Sequence, residues 1–323
     1  MSAPPADRHD PYAALSHPTY RRYLTGSFLA FFGRQMGSVA VTWEIYQWTH
    51  SATALGLVGL INVLPVLALS LPAGVMADHS DRRGIIAFTT GTVALLSLLL
   101  ALVSWRHARI PDLVPLHHAN AWLRQVALFF ERHVDPASLD FSQPALPLVY
   151  ALLFAMATLR ILGWPARSAI IPLLLPARAL SNAITWNSSA SEIATMAGPA
   201  LGGFLVAKAG FPLVYLLDAT LGLTLVAALS RVTYLNPPVP ATGRRTWRGT
   251  VAGAEFIWRK KVILGASSLD LFAVLLGGAT TLLPIYADKI LHVDAIGFGW
   301  LRAAPSFGAC SMAMWLAHRA PLR

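Results

Sequence analysis

Charge is scarce in this chain. Only 12% of its 323 residues are Asp, Glu, Lys or Arg, against roughly a quarter in a soluble domain, and 55% are hydrophobic. A water-soluble core has no room for that much apolar side chain, so a soluble globular domain is excluded. Cysteine is scarcer still. Cys310 stands alone, which excludes an intrachain disulfide and any metal site built from several thiolates. The ten histidines are no substitute, since only His117 and His118 adjoin and no ligand spacing repeats; neither metal nor cofactor is expected. No G-x-S-x-G elbow and no G-x-x-x-x-G-K phosphate loop occurs, so enzymatic and ATP-driven chemistry have no support in the motifs.

What the chain does have is long apolar runs. With a mean hydropathy of +0.56, they predict spans near 24–47, 53–76, 85–105, 145–163, 184–207, 211–230, 262–286 and 296–317. Each is close to the ~20 residues that cross hydrocarbon. The expected fold is an all-α, polytopic membrane bundle. Ten Trp and 22 Pro agree with it, because Trp favours the headgroup level and membrane helices tolerate proline. The net charge of +10 points first to nucleic acid, but its distribution follows the membrane. Sixteen Lys and Arg fall on the side that holds both termini and six on the other, an asymmetry that marks the first side as cytoplasmic. Nucleic acid is therefore not an expected partner; the lipid bilayer is.

Four regions follow from this pattern: a cytoplasmic segment 1–23, a six-span unit 24–230, a linker 231–261 and a partial second unit 262–323. The linker is Pro-rich and basic, with Asn236-Pro237-Pro238-Val239-Pro240 and Gly243-Arg244-Arg245. The six-span unit is interrupted on its outer side by residues 106–144, where Trp122, Val126, Phe129, Phe130 and His133 recur at helical spacing. That spacing predicts an amphipathic helix, either a lid or interfacial helix or an insertion capping the bundle.

One charged strip lies between two nearly charge-free spans: Gly74-Val75-Met76-Ala77-Asp78-His79-Ser80-Asp81-Arg82-Arg83-Gly84. Charges in hydrocarbon are costly, so the strip is expected to be a tight turn at a membrane face. Asp78 can accept from the amides that open the following helix and pair with Arg82, forming a clasp. In a later span, Ala194-Thr195-Met196-Ala197-Gly198-Pro199-Ala200-Leu201-Gly202-Gly203 strips side chains from one helix face, inviting close approach by a neighbour.

Together these stretches resemble the major facilitator transporters. Gly74, Asp78, Arg82, Arg83 and Gly84 stand where the facilitator signature between the second and third spans has matching residues, with His79 and Asp81 departing from it. Gly198, Pro199, Gly202 and Gly203 resemble the antiporter motif of the fifth span, with Ala194 in place of its first glycine. Further stretches, Ser51–Leu60, Trp164–Pro172 and Leu301–Pro305, look like the enterobactin-exporter branch. The resemblance implies a gating role for the first motif, and for the second a place between the two halves that limits proton leak. Static capping and plain packing remain open as alternative roles for these motifs.

Ionisable residues inside spans are functional candidates by default, which singles out Arg34, Glu44, Asp218 and Asp270. Arg34 suits an anionic substrate or a carboxylate partner, and Asp270 or Glu44 suits a transported proton. Trp43, Tyr46, Trp48 and Trp186 are candidate lining for a flat or greasy substrate. The resemblance implies efflux of a small siderophore-like or drug-like molecule across a bacterial inner membrane, driven by the proton gradient. Facilitators have twelve spans, so the chain is expected to be the front part of an exporter: a fragment, a frameshifted product or a truncated one. The contrasting expectation is a non-transporting membrane protein or assembly partner. No oligomeric state follows from the sequence.

Overall fold

The computed structural model describes residues 12–106, 114–131, 133, 139–235, 258–262, 264–265, 268–269 and 278–317. Among them are eight long helices: α1 (Pro18–Thr49), α2 (Ala52–His79), α3 (Arg82–Arg106), α4 (Val114–Phe130), α5 (Leu146–Leu174), α6 (Leu180–Ala209), α7 (Phe211–Ser230) and α8 (Ala295–Ala317). Five stretches are long and apolar enough to cross a membrane, lying in α2, α3, α5, α6 and α7; α1 is less apolar along its length. The chain is an all-α membrane bundle. The span expected at 262–286 lies partly outside the described residues. Its described end consists of three short pieces, a 3-10 turn Gly278–Leu282, a helical turn Leu283–Ile285 and a π turn Tyr286–Ile290.

Local chemistry sets the turns. Pro18 opens α1 at a position where its missing N–H costs nothing, and His50 ends α1 in the left-handed conformation, its N–H reaching Tyr46 O at 2.8 Å. Ser51 then caps α2, its Oγ accepting from Ala54 N at 3.1 Å. Gly210 alone connects α6 to α7 at φ +80, a backbone angle that glycine adopts without strain.

Helix α7 is the hub, packed along both α1 and α3; α1 also lies against α6, α5 against α2 and α3, and α8 against α6. The α1–α7 contact is a seam of glycines. A Cβ at Gly26 would sit 3.0 Å from Leu225 Cα, and one at Gly33 would sit 3.0 Å from Asp218 Cα. Apolar side chains point outward from α2, α3 and α7, among them Leu67, Phe88 and Leu216, as a lipid-facing surface requires.

The expected amphipathic helix forms, with Trp122, Phe129 and Phe130 on its exposed side, at 58%, 60% and 71% exposure. Leu123 and Ala127 are the residues packed into the bundle core. The aromatic residues dominate the periodicity, yet the close contact with α5 and α2 selects small and aliphatic side chains. The insertion is tied down at Glu131, which accepts from Ser51 Oγ at 2.5 Å and Thr53 N at 2.6 Å. Arg167 does not lie in a cytoplasmic loop, as a span ending near 163 implies. Helix α5 runs through Pro165 and on to Leu174, carrying Arg167 into the bundle.

Candidate functional site

Two carboxylates lie along the α1–α3–α7 seam, at different depths. Towards the α4 end, Glu44 is 2% exposed and accepts from Ser104 Oγ and, at 2.6 Å, from Tyr215 OH. One turn further along α7, Asp218 Oδ2 accepts from Ser97 Oγ at 2.7 Å. Ser97 and Ser104 are seven residues apart on α3, so two turns of helix present one hydroxyl to each carboxylate. Gly33 and Gly37 make room for Asp218 on α1: a Cβ at Gly33 would meet its Oδ1 at 3.3 Å, and one at Gly37 its Oδ2 at 3.4 Å.

Asp218 also faces a cavity of about 290 Å³ enclosed by α1, α3, α5, α6 and α7. Arg34, Arg160 and Arg167 line it together with Asp218, and both Arg34 and Arg160 interact electrostatically with that carboxylate. The Arg34 guanidinium lies 4.2 Å from the centre of the Phe31 ring, within cation–π range. Arg167 Nη2 donates to Thr90 Oγ1 at 2.8 Å. The Nε atoms of Arg160 and Arg167 are buried without a hydrogen-bond partner. Tyr23, Phe31 and Trp164 supply the aromatic wall. The candidate lining residues Trp43, Tyr46, Trp48 and Trp186 are not among those around this cavity. The first three are core residues, Trp43 stacking on Phe298 at 5.3 Å, and Trp186 rests on Tyr12.

The structure thus brings Arg34 and Asp218 together and sets Glu44 apart in a sealed pocket. Asp270 lies outside the described residues. A span ending near 163 puts Arg160 at its end and Arg167 beyond it, so neither stands out in the sequence as a charge inside the bundle. Their spacing of seven, which keeps two residues on one helix face, was the available signal.

At the opposite end of the bundle Asp81 holds the α2–α3 turn; the side chain of Asp78, for which the clasp was expected, lies outside the described residues. Asp81 accepts from Gly84 N at 3.0 Å, from Arg83 N at 3.3 Å and from Tyr234 OH at 2.5 Å. Burial pushes its carboxyl up, but these donors and the Arg83 guanidinium outweigh it and hold it below the usual carboxylate range. Burial and the adjacent carboxylate push the Tyr234 phenol up to about 12. Arg83 reaches the end of α7, donating to Ser230 O and Val232 O at 3.0 Å each, where the helix leaves its last carbonyls free. The Nε of Arg82 is buried without a hydrogen-bond partner. Gly84 opens α3, and Gly74 lies in α2, where an added Cβ would meet nothing within 4 Å.

The glycines of α6 face two neighbours. A Cβ at Gly198 would fall 2.6 Å from Gln35 Cβ, and one at Gly202 would fall 2.9 Å from Met36 Cα, both on α1. Gly203 faces Ala295 O and the Cα of Gly299 on α8. A Cβ on Gly299 would in turn lie 2.6 Å from the carbonyl oxygen of Pro199. At the α4 end Tyr46 OH donates to Asp288 at 2.7 Å, joining α1 to the segment that precedes α8.

Residues 23–321 match the Major Facilitator Superfamily. The chain belongs to that superfamily. Among curated relatives of this facilitator, the "Staphyloferrin A transporter" of Staphylococcus aureus is 24% identical over 197 residues, 61% of this chain and 41% of the relative. The "Enterobactin exporter EntS" of Shigella boydii is 24% identical over 309 residues, 94% of this chain and 65% of the relative. EntS of Escherichia coli matches to the same extent. The facilitator chain spans less than two thirds of the length of these relatives. It is a multi-pass membrane protein, and its family and relatives are transporters.

Proposed function

We propose that this facilitator, alone or as part of a longer protein, exports a small siderophore-like molecule by proton-driven alternating access. In this reading it resides in a bacterial inner membrane with both termini in the cytoplasm. The observation that carries the proposal is the cavity, which places Arg34, Arg160, Arg167 and Asp218 against one another inside the bundle. Charges that deep are costly unless they do something. Relatives named for siderophores give the cargo class.

In the proposed cycle Asp218 binds the substrate-coupled proton where it meets the cavity, and Glu44 and Asp270 are the further proton candidates. The α2–α3 turn, through Gly74, Asp78, Arg82, Arg83 and Gly84, holds the cytoplasmic side and releases it as the halves rock. Gly198, Pro199, Gly202 and Gly203 keep α6 close to α1 and α8, so that protons do not slip between them. The energy source is the proton gradient; no cofactor is required.

The test is uptake into everted membrane vesicles, using staphyloferrin A and enterobactin as cargo and a protonophore as control. Accumulation that collapses with the gradient, and that Asp218→Asn abolishes while the protein remains inserted, is the expected result. Accumulation insensitive to the protonophore would remove proton coupling, and no accumulation of any cargo would favour a non-transporting role.

A further inference from the structure

Of the four charged residues lining the cavity, three carry the same sign. With Asp218 ionised the wall has two uncompensated positive charges, and with Asp218 protonated it has three. A guanidinium cannot shed its proton to relieve this, because it stays charged at any pH the protein meets. Like charges repel more strongly inside a bundle than at a surface, because fewer water molecules screen them. Asp218 is the one carboxylate they share, through Arg34 and Arg160; the other close contacts are with neutral groups, the Phe31 ring for Arg34 and the Thr90 hydroxyl for Arg167. The buried Nε atoms of Arg160 and Arg167 have no acceptor at all.

We propose that the cavity binds an organic polyanion, a compact molecule with two or more carboxylate groups on a carbon frame. The charge count sets the lower limit of two. The planar fork of arginine matches a carboxylate with two parallel hydrogen bonds, which is how a buried guanidinium is best satisfied. Phe31 and Trp164 give the frame an apolar surface, and Ser191 and Asn187 offer neutral hydrogen-bonding groups for hydroxyl or amide substituents. A volume of about 290 Å³ is at the small end of ligand cavities, which favours a compact chelator-sized acid over a long chain. Asp218 then has a second part to play. It shares Arg34 and Arg160 with the incoming anion, so anion and Asp218 charge compete for the same cations.

The substrate class deepens the export reading and rests on it for direction only; the site stands or falls by binding. The probe is radiolabelled citrate, measured at equilibrium on the full chain in nanodiscs. Competitors are tricarballylate, inorganic phosphate and the uncharged triethyl ester of citrate. Saturable binding is expected, displaced by tricarballylate but by neither phosphate nor the ester. Arg160→Gln and Arg167→Gln each weaken it about tenfold or more, while Arg160→Lys recovers part of the loss because charge returns without the fork. Asp218→Asn tightens binding severalfold. Arg124→Gln, an exposed charge on α4 remote from the cavity, leaves it unchanged, and the unfolding midpoint of each variant confirms that it is folded.

Absence of saturable citrate binding to folded protein overturns the proposal. So does binding that ignores the arginine substitutions, or that phosphate or the ester displaces as well as tricarballylate does. Citrate binding without gradient-driven export in vesicles would leave the anion site standing and remove the export reading. Export of an uncharged cargo by a protein that does not bind citrate would do the reverse.

Discussion

Glu44 with Tyr215, and Asp81 with Tyr234, are the same chemical pair in opposite settings. In each a phenol donates to a carboxylate, at 2.6 Å in the first and 2.5 Å in the second. The first pair is sealed among α1, α3 and α7. The second lies at the end of the bundle, where Asp81 is exposed. Bond length does not separate them; access to water does. A donor lost from the sealed pair is not replaced by bulk water, whereas water takes over at the exposed pair. Asp218 falls between the two, held by a serine on one side and open to a cavity on the other.

The comparison breaks most completely at Gly33. Gly33→Leu puts a side chain where Asp218 Cα already sits, forcing α1 off α7 and unsealing the Glu44 pocket about three turns away. The expected cost is about 3 kcal/mol, read from reversible unfolding in mixed micelles. Tyr215→Phe is next, at about 2 kcal/mol, since it leaves Glu44 short of a donor in a dry site. A double-mutant cycle with Glu44→Gln should give a coupling well above the scatter of additive pairs. If the two changes add independently, the pocket is wet and the comparison fails. Asp218→Asn is expected to cost about 1 kcal/mol, because the cavity lets water reach what the substitution leaves unpaired. A penalty larger than that of Tyr215→Phe would mean that the cavity is closed to water.

The smallest effect belongs to the exposed pair. Tyr234→Phe should cost about 0.5 kcal/mol. Asp81 is held below the ordinary carboxylate range, so its contribution is present above that range and is lost as pH falls through the lowered value. Stability measured from neutral pH downward should therefore drop less in Asp81→Asn than in the unmodified protein. An identical acid slope in both would show that Asp81 adds nothing to the turn.

Hydropathy made the helices legible, because a span must be about twenty residues of apolar side chain whatever it packs against. The ends were less so. Pro165 reads as a stop in a soluble helix, but α5 continues through it, and Arg167 was misplaced with the boundary. Arg34 and Asp218 were identifiable as costly charges, and they do share a cavity. Their companions were not, since Arg160 and Tyr215 become informative only when folding brings five helices together. Asp81 and Tyr234 are 153 positions apart, beyond the reach of any local pattern. The helical periodicity of α4 was legible too, but periodicity detects that a helix has two faces without saying which one the bundle covers, and here Leu123 and Ala127 are the covered ones.

The meeting of Gly203 with Gly299 has a mechanical meaning. Where α6 crosses α8 the two main chains rest on each other without interleaved side chains, a Cβ on Gly299 reaching within 3.2 Å of Gly203 Cα. An ordinary helix crossing is geared by its rotamers, and turning it means resetting every tooth. At this glycine pair the crossing has no teeth, and a single methyl group on either glycine would meet main chain and prise the two helices apart.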